Sequence, residues 1–289
     1  MKRTSKSTPK AKSSAANSSP KATLKTIASR HAKMPIISVS HLTKKYRTAK
    51  ENSVTDVSFA VEEGSFFSLL GPNGAGKTTT LSILTTILSP TAGEAIVAGY
   101  NVNKNPSEVR NQIGVIFQNP SLDLNLTAEE NIRFHANLYG LYSYKPAFRL
   151  MDKEYQEKVD ELSKVLELSK EIFNPVKTFS GGMKRKLEIM RSLLHRPKIL
   201  FLDEPTTGLD PISRRNLWTY LQKVRKEQTV TIFLTTHYLE EAEVSDQICV
   251  MDKGKILVLG TPDEIKKHWK AKSLEDAYIK MIYKRHQEE

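Results

Sequence analysis

The sequence predicts an α/β fold built on buried, mainly parallel strands, and three stretches predict it. Phe66-Phe67-Ser68-Leu69-Leu70 is short and apolar enough for a buried parallel strand. It leads into Gly71-Pro72-Asn73-Gly74-Ala75-Gly76-Lys77-Thr78, and Lys77 to Leu88 then runs without Gly or Pro, as a helix. Strand, glycine loop, helix is the context of a phosphate-binding loop. The second stretch, Ile199 to Glu204, is an apolar strand that ends on two adjacent carboxylates. The third, Val230 to Leu234, ends on Thr235-Thr236-His237.

The other elements follow in chain order. Residues 1–33 hold nine Lys or Arg, no acid and almost no large apolar side chain. Such a segment cannot offset its ordering entropy and reads as a disordered basic tail. It is either a solvated arm able to rest on anionic lipid or an organelle-targeting segment, with Lys outnumbering Arg against the second. Met34 opens the folded pattern, which extends over 34–289, and is itself a candidate start. Ile36 to Val39 and Val54 to Val61 read as strands around a polar turn that carries Tyr46. Glu94 to Val102 reads as a strand after the turn signals Pro90 and Gly93. Ile113 to Phe117 is a strand ending on Gln118. Thr127-Ala128-Glu129-Glu130 is a capping box, which predicts a helix from Ala128 to Tyr139. A second helix is expected over 152–168, so that 119–178 form a helical insert. Leu122, Leu124 and Leu126, within the insert and ahead of its capped helix, are either core or a docking edge.

Ser180-Gly181-Gly182 opens a helix in which Met183, Leu187, Met190 and Leu194 share a core face. Lys184, Arg185, Lys186 and Arg191 fall mostly on the other face, which predicts solvent or a partner for them. Asp210-Pro211 caps and starts the next helix. Gln247 to Met251 and Lys255 to Leu259 form a hairpin across Asp252-Lys253-Gly254, and Thr261 to Glu264 caps a last helix.

Composition narrows the function classes. The net charge of +12 comes mostly from the first 33 residues, and the remainder holds 35 basic against 32 acidic side chains. The body is close to balanced, so the charge does not argue for a nucleic-acid partner. Cys249 is the only cysteine, forms no internal disulfide and fits a reducing compartment. No apolar run reaches the roughly 18–20 residues of a membrane span.

Chemistry attaches to these elements directly. The loop backbone can wrap a phosphate, with the dipole end of the next helix behind it. Lys77 reaches the β- and γ-phosphates, and the Thr78 hydroxyl suits Mg²⁺. Asp203 is the natural carboxylate for the same ion. Glu204 stands where it can take a proton from, or orient, an attacking water, and His237 can hold the γ-phosphate and that water.

The motif order resembles that of the ATP-binding subunits of ATP-binding cassette (ABC) transporters. It runs Tyr46, Walker A over Gly71–Thr78, Gln118 (Q-loop), the signature Phe179-Ser180-Gly181-Gly182-Met183, Walker B over Ile199–Asp203 with Glu204, the D-loop Gly208-Leu209-Asp210, and the switch His237. Ser-Gly-Gly some twenty residues before Leu-Asp-Glu-Pro is the most specific part. The resemblance covers residue 36 to the C-terminus. It implies a P-loop NTPase fold of the ABC type: a mainly parallel core sheet, a small antiparallel β-subdomain and an inserted helical subdomain. It implies ATP and Mg²⁺ as cofactors. Tyr46, Gly71 to Thr79, Gln118, Ser180, Gly181, Gly182 and Asp210 would bind nucleotide, with Thr78, Gln118 and Asp203 on the metal and Lys77, Glu204 and His237 catalytic.

The resemblance further implies a head-to-tail pair of such subunits and a separate transmembrane permease, hence a peripheral place on the cytoplasmic face of the membrane. Phe179 and Met183 stand where many members carry Leu and Gln, outside the phosphate contacts. The stretch from Ser180 to Glu188 resembles the drug and polysaccharide exporter type. The alternative is a soluble non-transport ABC ATPase of translation, assembly or DNA maintenance. The single cassette and the step of 62 positions from Gln118 to Ser180, too short for a long coiled coil, weigh against it.

Overall fold

The computed structural model describes residues 35–119 and 121–288. The expectations for the 1–33 tail and for Met34 lie outside the described residues. The chain folds as two sheets with helices around them. Strands β1 (Ile37–Lys44), β2 (Val54–Val61), β4 (Ala92–Val97) and β5 (Tyr100–Asn101) form an antiparallel sheet in the order β2-β1-β4-β5. Strands β3 (Phe66–Leu70), β6 (Ile113–Ile116), β7 (Ile199–Asp203), β8 (Thr231–Thr236), β9 (Gln247–Asp252) and β10 (Lys255–Gly260) form the larger sheet, in the order β10-β9-β3-β8-β7-β6. Its pairings are parallel apart from the β9–β10 hairpin. The hairpin turns at Lys253 and Gly254, both at positive φ, the left-handed pair that suits a two-residue loop.

Alternation along the large sheet sends its side chains to two cores. Phe67, Leu69, Phe201 and Phe233 face the antiparallel sheet and α1 (Lys77–Leu84), with Phe67 stacked between Phe59 and Phe233. Phe66, Leu200, Leu202, Ile232 and Leu234 face the opposite way. There they share one core with α3 (Ala128–Leu138), α4 (Lys153–Val165), α5 (Gly181–Leu193) and α6 (Pro211–Gln228). A third cluster seats α9 (Leu274–Glu288) and α8 (Pro262–His268) beside β9, next to α7 (Leu239–Glu243).

Local differences from the expectations have local causes. The expected strand over 94–102 breaks because Ala98 and Gly99 both take positive φ and fold β4 back on β5. The helix after the glycine loop ends at Leu84, and Thr86 turns left-handed. Helix α2 (Pro106–Gln112) was not foreseen, although Pro106 at its first turn and Glu108 are start signals. Nor was α9, whose Ser273 hydroxyl accepts from the Asp276 amide. Leu122 packs on the core, whereas Leu124 is exposed.

The largest correction concerns α5. Arg185 was expected to face solvent or a partner and is instead buried, and Arg191 donates to Ser121. The segment leading out of β6 lies across that face of α5 and supplies the carbonyls these guanidinium groups need.

Candidate functional site

Strands β3, β8, β7 and β6 are neighbours and parallel, so their C-terminal ends lie side by side. The residues that leave them meet at one edge, where open α/β sheets bind ligands. Pairing fixes the register: Leu70 sits opposite Thr236, and Asp203 opposite Thr235.

The glycine loop is tied to this edge by its backbone. The Gly71 amide donates to Thr236 O at 3.2 Å, and Ala75 O accepts from Gly254 N at 3.1 Å. A Cβ on Gly71 would lie 2.3 Å from Met251 O, so only glycine fits. Gly76 caps α1 at φ 100, and its Cβ would lie 2.5 Å from Ser53 O. Among the described residues, the amides of Gly74, Gly76, Lys77 and Thr78 have no backbone acceptor. They are free donors at a helix N-terminus, the arrangement that suits phosphate oxygens.

Lys77 is buried. Its Nζ donates to Gly71 O at 2.8 Å and Pro72 O at 3.1 Å and lies 3.3 Å from Glu204 Oε1. The same Glu204 oxygen is 3.2 Å from His237 Nδ1. That contact lacks hydrogen-bond alignment, so the buried His237 nitrogen keeps its bonding capacity. Glu204 holds φ 45, a left-handed conformation uncommon for a side-chain-bearing residue, and its amide donates to Thr235 O at 3.0 Å. Such backbone strain collects at functional sites.

Asp203 is buried between two hydroxyls. Thr235 donates to its Oδ1, and Thr78 Oγ1 donates to the same oxygen at 3.4 Å. Burial raises its pKa, against these hydrogen bonds and the nearby Lys77 charge, and Glu204 adds to the rise. A buried carboxylate next to a hydroxyl oxygen is a hard oxygen pair of the kind that suits a divalent cation. The residues therefore fit Mg²⁺, which Thr78 and Asp203 would hold.

Tyr46 lies beside the loop, its hydroxyl 3.4 Å from Thr79 Oγ1 and its ring partly exposed. Gln118 follows β6 with its side chain exposed, and its carbonyl accepts from Arg185 Nη2 at 3.2 Å. Among the described residues its amide group has no hydrogen bond to Thr78 or Asp203.

Ser180, Gly181, Gly182 and Asp210 form a separate group. Ser180 caps α5 by accepting from the Met183 amide, and Asp210 caps α6 by accepting from the Ile212 and Ser213 amides at 3.0 Å. Those bonds, above all the Ser213 hydroxyl, hold the Asp210 carboxyl below the usual carboxylate range. Gly182, Ser180, Leu209 and Ser213 line a cavity of about 130 Å³ between the two helix starts. The structure does not bring this group into contact with the glycine loop.

Sequence reasoning missed two groups at the edge. Thr235 holds Asp203, and its position directly before Thr236-His237 was the available signal. Buried Glu241 accepts hydroxyls from Thr206 and from Thr236 at 2.6 Å, joining the segment after Glu204 to the one before His237. No local pattern marks Glu241; only the packing of α7 reveals it.

A family model described as "ABC transporter" matches residues 54–207. The chain is 37% identical over 254 residues to "Probable multidrug ABC transporter ATP-binding protein YbhF" of Escherichia coli (strain K12), covering 86% of this chain and 42% of that protein. It is 42% identical over 229 residues to "Doxorubicin resistance ATP-binding protein DrrA" of Mycobacterium tuberculosis (strain ATCC 25618 / H37Rv), covering 79% of this chain and 66% of that one. The chain thus spans under half the length of the first relative and about two thirds of the second. Among solved structures it resembles an ATP-binding subunit of an ABC transporter, with a TM-score of 0.73, 30% identity and coverage of 86% and 99%. It also resembles the dimeric post-hydrolysis state of the ATP-binding cassette MJ0796 bound to ADP and Pi, with a TM-score of 0.67, 27% identity and coverage of 78% and 98%.

Proposed function

The chain belongs to the ABC transporter family, and we propose that it is the ATP-binding and ATP-hydrolysing subunit of an exporter whose membrane-spanning part is a separate protein. One observation carries the reading: Lys77, Asp203, Glu204 and His237 converge at one sheet edge around a loop of free backbone donors. The relatives' drug-resistance and multidrug names support export. No helix among the described residues is long and apolar enough to cross a membrane, which supports docking on a permease at the cytoplasmic face. The dimeric relative supports a head-to-tail pair with a second ATP-binding subunit.

In this reading ATP is the substrate and water the nucleophile. The free amides of the glycine loop and the Lys77 ammonium take the β- and γ-phosphate oxygens, and the Tyr46 ring meets the base. Thr78 and Asp203, with the Gln118 side chain, would hold Mg²⁺. That ion, when bound, neutralises charge on the phosphates. Glu204 accepts the proton of the attacking water, and His237 holds the γ-phosphate in line with it. The bond from water oxygen to γ-phosphorus forms, the bond to the β–γ bridging oxygen breaks, and ADP and phosphate leave. Ser180 to Gly182 and Asp210 serve the nucleotide of the partner subunit.

The test is phosphate release from MgATP by the purified full chain, with capture of its partners from detergent-solubilised membranes. Mg²⁺-dependent release and co-purification of a protein with several membrane spans are expected. Release without such a partner, with ribosomes or DNA captured instead, overturns the transport assignment.

A further inference from the structure

Arg185 lies five residues after Ser180 and is 4% exposed. Its guanidinium reaches two separate segments of backbone. Nε donates to Pro205 O at 2.9 Å, directly after Glu204. Nη1 donates to Phe117 O at 2.7 Å, and Nη2 to Gln118 O at 3.2 Å. Nη1 also pairs with Glu188 Oε2 at 2.8 Å. Glu188, one turn on and 1% exposed, accepts the Ser121 amide through its other oxygen at 3.0 Å. Arg191, a further turn on, donates to Ser121 O at 2.8 Å and Ser121 Oγ at 2.6 Å. Residues 185, 188 and 191 therefore form a charged ladder up one side of α5, gripping the chain on both sides of Gln118.

A buried guanidinium is costly, and burial lowers the Arg185 pKa. An apolar side chain could fill the same volume more cheaply. What an apolar side chain cannot do is bond the backbones of two loops at once. Only a planar fork offers donors in these several directions, and lysine cannot span them.

We propose that Arg185 is a positioning residue for ATP hydrolysis, fixing the Gln118 loop and the backbone beside Glu204 to the signature helix, with Glu188 and Arg191 completing the grip. The proposal rests on the ATPase reading above. Movement of the Ser180 end of α5 is passed through Arg185 to Gln118 and Glu204 together. In the proposed role Arg185 acts through the backbone it holds and not on the reacting groups. Its loss therefore leaves nucleotide binding in place and lowers turnover, since a misplacement of about 1 Å can cost roughly 10²-fold in rate.

The test compares wild type, Arg185→Lys, Glu188→Gln, Gln118→Ala and the double variant R185K/Q118A as full chains. Melting temperature, stoichiometry and affinity for a fluorescent ATP analogue, kcat and KM are measured on each. For R185K the expected result is one analogue bound per chain, affinity within about threefold of wild type and kcat lower by about 10–100-fold. E188Q should show a smaller fall in the same direction, and it carries the test if R185K does not fold. R185K should also cost less in the Q118A background than alone, because both act through one loop. A merely structural role gives additive losses and reduced binding stoichiometry. Wild-type kcat in both R185K and E188Q, or strict additivity, overturns the proposal while leaving the ATPase reading intact. Absence of hydrolysis by wild type overturns both.

Discussion

Glycine stands at the start of both α1 and α5, capping the first and opening the second, and the two glycines have different reasons. At α1 the chain itself demands one: Gly76 stands at φ 100 with Ser53 O where a Cβ would go. Around it the same chain supplies Lys77 and His237 within 3.3 Å of Glu204 Oε1, and Thr78 within 3.4 Å of Asp203 Oδ1. At α5 the fold makes no such demand. Gly181 is exposed, and a Cβ there would meet only Leu209 Cδ2, at an ordinary 3.5 Å. Alanine is also the better helix former, by about 1 kcal/mol in a helix interior. The first glycine is explained by the molecule's own packing. The second is not, and the explanation suggested by the proposed pairing is a phosphate brought by another subunit.

Three variants break or sharpen this contrast. The largest effect belongs to Glu204→Gln. It keeps the shape of the α1 site while removing the proton acceptor, so steady-state turnover should fall by roughly 10²–10⁴-fold with ATP binding retained. Size-exclusion chromatography with ATP should then show an accumulated dimer. Near-normal phosphate release would remove Glu204 from its role.

Next comes Gly181→Ala. Melting temperature should hold or rise slightly, and the chain's own affinity for an ATP analogue should not change. Turnover should fall about 10-fold, because the added methyl blocks close approach of phosphate to the backbone amides. In the E204Q background the ATP-dependent dimer should weaken. Unchanged turnover would show that α5 begins in glycine for some other reason, and the contrast would collapse.

The smallest effect is on stability alone. Burial raises the Asp203 pKa, so in the absence of nucleotide the native state favours its protonated form. Its contribution to stability is full below the ordinary aspartate value of about 3.9 and is lost as pH rises through the raised native value. Asp203→Asn removes that loss. Scanning fluorimetry without Mg²⁺ should find D203N melting above wild type near neutral pH, with the gap closing as pH falls toward 3.9. Added Mg²⁺ and ATP should reverse the order, since only the carboxylate suits the cation. A gap independent of pH would mean that Asp203 is not the titrating group.

The sequence by itself determined what neighbours along the chain decide. The strand, glycine loop and helix over 66–84 were legible because burial, tight turning and helix entry each leave a short pattern. So were the capping boxes at Thr127 and Thr261, both present with reciprocal bonds. The carboxylates at the end of β7 and the histidine after β8 could be placed at strand ends, and parallel pairing then brought them to one edge. Tertiary structure alone decided the rest. Glu204 Oε1 sits between Lys77 and His237, residues 160 positions apart in the chain. The Gln118 side chain is exposed, and Glu241 joins two loops. Arg185 shows the reason most plainly. Helical spacing placed it on the polar side of α5, but whether that side meets water or another segment depends on distant chain. The β6 exit and Pro205 lie over it, and their carbonyls, 68 and 20 residues away, turn a surface arginine into a buried one.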